Sequence, residues 1–125
     1  MNAEIRFPQL RLDLISAIDF LAESDVNHHV AGYDSAGKVT SYIDFDLSVH
    51  ILFDDIHDLQ TNSYNLIGSI LRNESEASII SKLTVELDKV IDEDYPDDLD
   101  EAYVKTPQWQ RVVKLAKEAR SIFHT

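Results

Sequence analysis

The sequence predicts an α+β domain with a small antiparallel sheet, formed by hairpin strands near 27–53, and about four helices packed mainly on one face. Three observations predict it. Ile43, Phe45, Leu47, Val49, Ile51 and Phe53 are apolar at every odd position, with Asp44, Asp46, Ser48, His50 and Asp54 between them and Leu52 the one exception. Alternation with period two is the mark of a strand with one buried face. A turn signal, Asp34-Ser35-Ala36-Gly37, precedes this run. Apolar residues recur at helical spacing before and after it, and such segregation of helices from strands favours α+β.

Pro8 opens the first helical pattern, at a position where its missing N–H costs nothing. Leu10, Leu14, Ala17, Ile18 and Leu21 then mark one face. Val26, Val30 and Tyr33 begin a strand-like stretch, and Gly37 is suited to a turn that needs positive φ. The natural reading is a hairpin joining 27–33 to residues from 39 onward. In the alternating run, Ile43, Phe45, Val49 and Ile51 are expected on the buried sheet face. Asp44, Asp46 and His50 belong to the solvated one. Residues 54–62 read as a loop, followed by a short helix around 64–71 that Gly68 weakens. Asn73 has the character of an N-cap with Glu76 as its capping-box partner, before a long helix marked by Ala77, Ile80, Leu83, Leu87 and Ile91. Residues 92–101 contain seven acids and Pro96, which reads as an exposed connector. Thr106-Pro107 restarts a helix as cap and first position, with Trp109, Val112, Val113, Ala116, Ala119 and Phe123 as its apolar stripe. No repeat or linker divides the 125 residues, so one domain, 1–125, is expected.

The balance of 23 acidic and 11 basic side chains gives a formal charge of −12. Such a surface repels phosphate backbones and anionic lipid, which argues against nucleic acid and membrane as partners and favours a basic protein. Residues 106–125 hold four basic and one acidic residue, and these cations are expected to balance the nearby acidic connector. There are no cysteines, which removes disulfides and thiolate chemistry and fits a reducing cytoplasm. The N-terminus lacks the basic start and apolar core of a signal peptide.

The strongest catalytic or metal candidate is the group His50, Asp54, Asp55, His57 and Asp58, where imidazole and carboxylate lie close in sequence. Its spacing matches no established ligand pattern, so a solvated acidic surface is the better reading, and no metal, cofactor or catalytic residue is assigned. His28 and His29 are adjacent on a strand and point to opposite faces. Ser63, Ser69 and Ser75 lack a nucleophile-elbow context, and Gly32, Gly37 and Gly68 form no phosphate loop. Trp109, the single tryptophan, is expected in the core.

Four segments together resemble a known group of proteins: Phe7-Pro8-Gln9-Leu10-Arg11, Phe45 to Asp55, Ile67 to Ala77, and Pro107 to Val113. The chain resembles a family of small, acidic, cytoplasmic bacterial proteins of mostly unassigned function. Some relatives of that family resemble the immunity proteins of contact-dependent growth inhibition systems. The resemblance implies a non-enzymatic toxin inhibitor that binds a cognate toxin domain, often a cationic nuclease, and blocks its active site by stoichiometric binding. It carries no binding residues over. Charge and exposure supply the expected interface instead: Asp54, Asp55 and Asp58 from one loop, and Tyr95, Asp97, Asp98, Leu99, Asp100 and Glu101 from the connector. Two alternatives remain open: a housekeeping interaction module with an unknown basic partner, and a small metal-dependent enzyme using the His50–Asp58 group.

Overall fold

The computed structural model describes residues 5–24, 30–34, 36–56, 59, 62–94 and 101–124. It corrects the predicted fold class. The described chain is predominantly helical, not an α+β domain built on a sheet. The principal helices are α1 (Pro8–Glu23), α2 (Phe45–His50), α3 (Glu74–Asp94), a single turn α4 (Glu101–Val104), and α5 (Pro107–Phe123). Extended pairing, among the described residues, forms a two-stranded antiparallel ribbon of β1 (Val30–Tyr33) and β2 (Val39–Ile43) and one isolated bridge between Ile67 and Leu71. A two-stranded ribbon is too small to be the layer on which four helices pack.

The main correction falls on 43–53. Ile43 is the last residue of β2, and Phe45 begins a helix. Asp44, in extended conformation, accepts a hydrogen bond from the Leu47 amide (2.8 Å) through its carboxylate and so caps the helix. Phe45, Ser48 and Leu52 lie on one helical face and are buried, while Leu47, Val49 and Phe53 are half-buried. The alternation is therefore helical packing on more than one side, and Leu52, the exception to the alternation, belongs to the core face. Ser48 is tolerated inside because its hydroxyl donates to the Phe45 carbonyl (2.7 Å). Of the four residues expected on one sheet face, Phe45 and Ile51 are buried and Val49 is half-buried, all from a helix.

The helix does not stop at His50. It continues as a π-helical turn over Ile51–Asp55, closed by the Ile56 amide donating to the Ile51 carbonyl (3.1 Å). The segment from Asp54 was expected as loop. The wide turn leaves Asp54 and Asp55 side by side on the exterior, between the buried side chains of Leu52 and Ile56. Farther along, the helix expected at 64–71 is only a 3₁₀ turn at Ser63–Leu66. Gly68 follows at φ +94°, a left-handed conformation that a side chain resists. This turn receives the N-terminal strap: the Arg6 amide donates to the Gly68 carbonyl (3.2 Å) and the Phe7 amide to that of Ser69 (2.9 Å).

The core is built around α5, which packs against both α1 and α3, with α2 and the π-helical turn laid against α1. Leu14, Ile18 and Leu21 of α1, Ile80, Leu83 and Leu87 of α3, and Trp109, Val112 and Ala116 of α5 are buried there. Trp109 is fully buried, meets Phe45 edge-on (centroids 5.6 Å apart, 68° between planes), and donates its indole N–H to Ser24 Oγ (3.0 Å). Thr106 precedes Pro107 as expected, but its hydroxyl donates back to the Tyr103 carbonyl (2.7 Å) and does not cap α5.

Candidate functional site

The helix N-cap and the π-helical turn together create an acidic exterior. Asp44, Asp46, Asp54 and Asp55 are exposed on this one segment. His50, also exposed, stands among them. Its Nδ1 lies 2.8 Å from Asp54 Oδ2, and its Nε2 lies 3.1 Å from Asp55 Oδ1. Two carboxylates are thus held on either side of one imidazole, at the surface. Among the described residues, no group of three or more histidines and carboxylates is arranged to hold a metal ion. His57 and Asp58, expected in the same group, lie outside the described residues, as do His28 and His29.

The connector half of the expected interface is not brought into view. Tyr95, Asp97, Asp98, Leu99 and Asp100 lie outside the described residues, and of Glu101 only the backbone, in α4, is described. The cations of α5 were expected to balance that connector. Two of them pair with other helices, Arg111 Nε lying 3.6 Å from Glu86 Oε2 on α3 and Arg120 Nη1 lying 2.9 Å from Glu23 Oε1 on α1, while the connector itself lies outside the described residues.

Sequence reasoning missed one buried ionic cluster. Arg11 of α1 makes a two-pronged pair with Glu76 of α3, at 2.8 and 2.9 Å, and its Nη1 also donates to the Ile70 carbonyl (2.8 Å). The guanidinium lies over the Phe123 ring, 5.1 Å from its centre. Side-chain exposure is 7% for Arg11 and 2% for Glu76, so both charges are out of water. Asn73 caps α3 by accepting from the Glu76 amide (2.9 Å), but the carboxylate of Glu76 does not complete a capping box. It accepts from the Arg72 amide (2.8 Å) and from Arg11. The signal was present: Arg11 stands three residues before Leu14 and seven before Ile18, on the buried stripe. A charge on an apolar stripe needs a partner. The cluster ties α1, the 66–72 turn, α3 and α5 together. With its groups mutually engaged and buried, it is a clasp and not a reactive site.

A second overlooked carboxylate is Asp19. Burial raises its pKa above 3.8, against the opposing pull of His124 and Arg120. His124 Nε2 stands 3.7 Å from Asp19 Oδ1, beyond hydrogen-bonding distance. The folded state therefore holds this proton more tightly than the unfolded state does. Its effect on stability is favourable at low pH and is lost as pH rises from 3.8 through the raised value. Asp19→Asn should accordingly melt higher than wild type at neutral pH, and the advantage should vanish on acidification below 3.8. Thermal denaturation of both proteins across that range checks it, and equal melting temperatures at neutral pH would contradict it.

No helix among the described residues is long and apolar enough to cross a membrane. No curated protein and no solved structure matches the chain. A family does match, over nearly the whole length. Residues 5–125 fit the family described as Domain of unknown function (DUF7945), and the chain belongs to that family.

Proposed function

We propose that this protein is a cytoplasmic, non-enzymatic inhibitor that binds a cationic toxin domain one-to-one and covers its active site, in the manner of an immunity protein. The observation that carries the reading is the exposed carboxylate surface on α2 and the π-helical turn, Asp44, Asp46, Asp54 and Asp55, on a chain of charge −12. π-helical turns are rare and concentrate at functional positions. Here the turn holds two acids outward together. A nuclease-type toxin presents cations to grip phosphates, and a carboxylate surface can occupy the same cations. The resemblance to immunity proteins supports the same role. Asp58 and the acidic connector, with Tyr95 and Leu99 as apolar anchors, extend the proposed interface beyond the described residues.

Electrostatic complementarity acts more on the association rate than on the final affinity. Co-purification with the product of the neighbouring upstream gene tests the role, and a one-to-one complex is the expected result. Asp54→Asn combined with Asp55→Asn should then slow association about tenfold at low salt, within the range of electrostatic steering. The difference should shrink at physiological salt, where the Debye length is ~8 Å. A variant that associates as fast as wild type at low salt removes the π-helical turn from the interface. Neutralising Asp97, Asp98, Asp100 and Glu101 together makes the same test of the connector.

A further inference from the structure

Arginine grips carboxylates in a fixed two-pronged geometry, and a chain with 23 acids offers many of them. Arg11, Arg111 and Arg120 pair with Glu76, Glu86 and Glu23. The side chains of Arg6 and Arg72 meet no carboxylate among the described residues. Both belong to one unit. The amides of Arg6 and Phe7 bind the carbonyls of Gly68 and Ser69, and Arg72 follows that turn directly. Residues 5–12 and 59–73 contain no aspartate or glutamate at all. Of the acids at their borders, Asp13 accepts from Gln9 Nε2 (2.9 Å), and Glu74 is exposed at the start of α3. Two aromatic rings are turned outward on the same unit, Phe7 with 46% and Tyr64 with 55% of its surface exposed. The Arg6 guanidinium lies over the Phe7 ring, 5.5 Å from its centre, and stacking of this kind leaves the edge of the fork open to an acceptor.

We propose that the N-terminal strap and the turn it binds form a docking surface for an acidic segment of a partner protein, one that carries carboxylates next to apolar side chains. Charge complementarity names the partner. Arg6 and Arg72 are cations with no carboxylate of their own chain to satisfy them, and Phe7 and Tyr64 supply apolar area beside them. Arginine and aromatic residues with few acids make up the centres of protein interfaces, and tyrosine and arginine are among the residues that carry most of the binding energy. This chemistry is the opposite of that on α2 and the π-helical turn, so the two surfaces call for different partner segments. Nucleic acid fits less well, because the chain of −12 repels a long run of phosphates, whereas a short segment brings only a few charges.

The test is fluorescence anisotropy at physiological salt, with a short rhodamine-labelled peptide of alternating aspartate and leucine as the probe. Wild type should bind it with a Kd on the order of 100 µM, as for a weak contact of a few side chains. The same peptide with asparagine for aspartate should bind at least about tenfold more weakly. Arg6→Gln and Arg72→Gln should each weaken binding of the acidic peptide by about tenfold, through loss of a charge-assisted hydrogen bond. Tyr64→Ser should weaken it with no change of charge. Lys114→Gln, which removes an exposed cation of α5, should leave it unchanged. Circular dichroism of each variant confirms that the helices are intact. No binding up to about 1 mM, the weak end of specific association, overturns the proposal. So does equal binding of the asparagine peptide. A loss with Lys114→Gln as large as with Arg6→Gln would mark general charge attraction and also overturn it. Single-stranded DNA that binds more tightly than the peptide, and through the same arginines, would replace the acidic segment with a polyanion. Self-association of the protein that Arg6→Gln abolishes would give the surface to a second copy instead.

Discussion

Replacing Glu76 with alanine is expected to lower the free energy of unfolding by ~3–5 kcal/mol, the cost of leaving a buried charge without its partner. The carboxylate satisfies the guanidinium of Arg11 through two bonds and the Arg72 amide through a third. Alanine removes all three at once, and Arg11, with 7% side-chain exposure, cannot turn its charge to water without opening the junction of α1 and α3. Domains of this size are stable by only ~5–15 kcal/mol, so the loss would be a large part of the total. Urea unfolding followed by circular dichroism measures it. A second variant separates charge burial from simple loss of contacts. Arg11→Met combined with Glu76→Leu removes both charges and keeps apolar volume, and it should be closer to wild type than either single change. The recovery should be incomplete, because the Ile70 carbonyl and the Arg72 amide still lose their partners. A loss below ~1 kcal/mol for Glu76→Ala would fall in the range of exposed ion pairs and would show that water reaches this one.

Trp109→Ala should be the most damaging truncation in the core, at ~3–5 kcal/mol or somewhat above, as for buried aromatic side chains. The indole is fully buried, meets Phe45 edge-on, and lies against Tyr103 with ring centres 5.8 Å apart. It therefore couples the start of α5 to α2 and α4. Its N–H bond to Ser24 adds a link to the end of α1, and removing the indole leaves the buried Ser24 hydroxyl without this donor. Trp109→Phe tests the parts separately. It keeps most of the apolar bulk and loses the N–H, so its cost should lie well below that of alanine. Chemical denaturation of both variants checks the order. Equal costs would assign the effect to the hydrogen bond and not to packing.

Much of the helical framework was legible in the sequence because its signals are local. Pro8 and Pro107 open α1 and α5, Asn73 caps α3, and the apolar stripes from Leu14, Ile80 and Trp109 run at helical spacing through elements that the fold contains. Capping and periodicity act within a few residues and need no distant partner. The acidic character of the surface was equally plain, since exposed carboxylates are a matter of composition.

Residues 43–53 were misread for a physical reason. Period-two alternation marks a strand only when one face is dry and the other wet. Here a short helix is half-buried on its flanks, so Leu47, Val49 and Phe53 are apolar without lining one sheet face. The discriminating facts were the Asp44 cap and the apolar Leu52, seven residues after Phe45 and on its helical face. Both are weak beside six alternating apolar residues. The site follows the same pattern: the sequence places Asp54 and Asp55 in a loop, whereas the π-helical turn sets them beside His50.

By itself the sequence determined that α1, α3 and α5 are amphipathic helices, where they begin, and that the exterior is acidic, because these depend on neighbours a few positions away. Tertiary structure alone decided that no sheet organises the core among the described residues, that Arg11 and Glu76 meet across 65 residues, and that Arg111 and Arg120 pair with α3 and α1. These outcomes depend on which helix faces are pressed together. A buried charge or a half-buried helix is stable only when a remote segment supplies its partner, and no pattern along the chain states which segment that is.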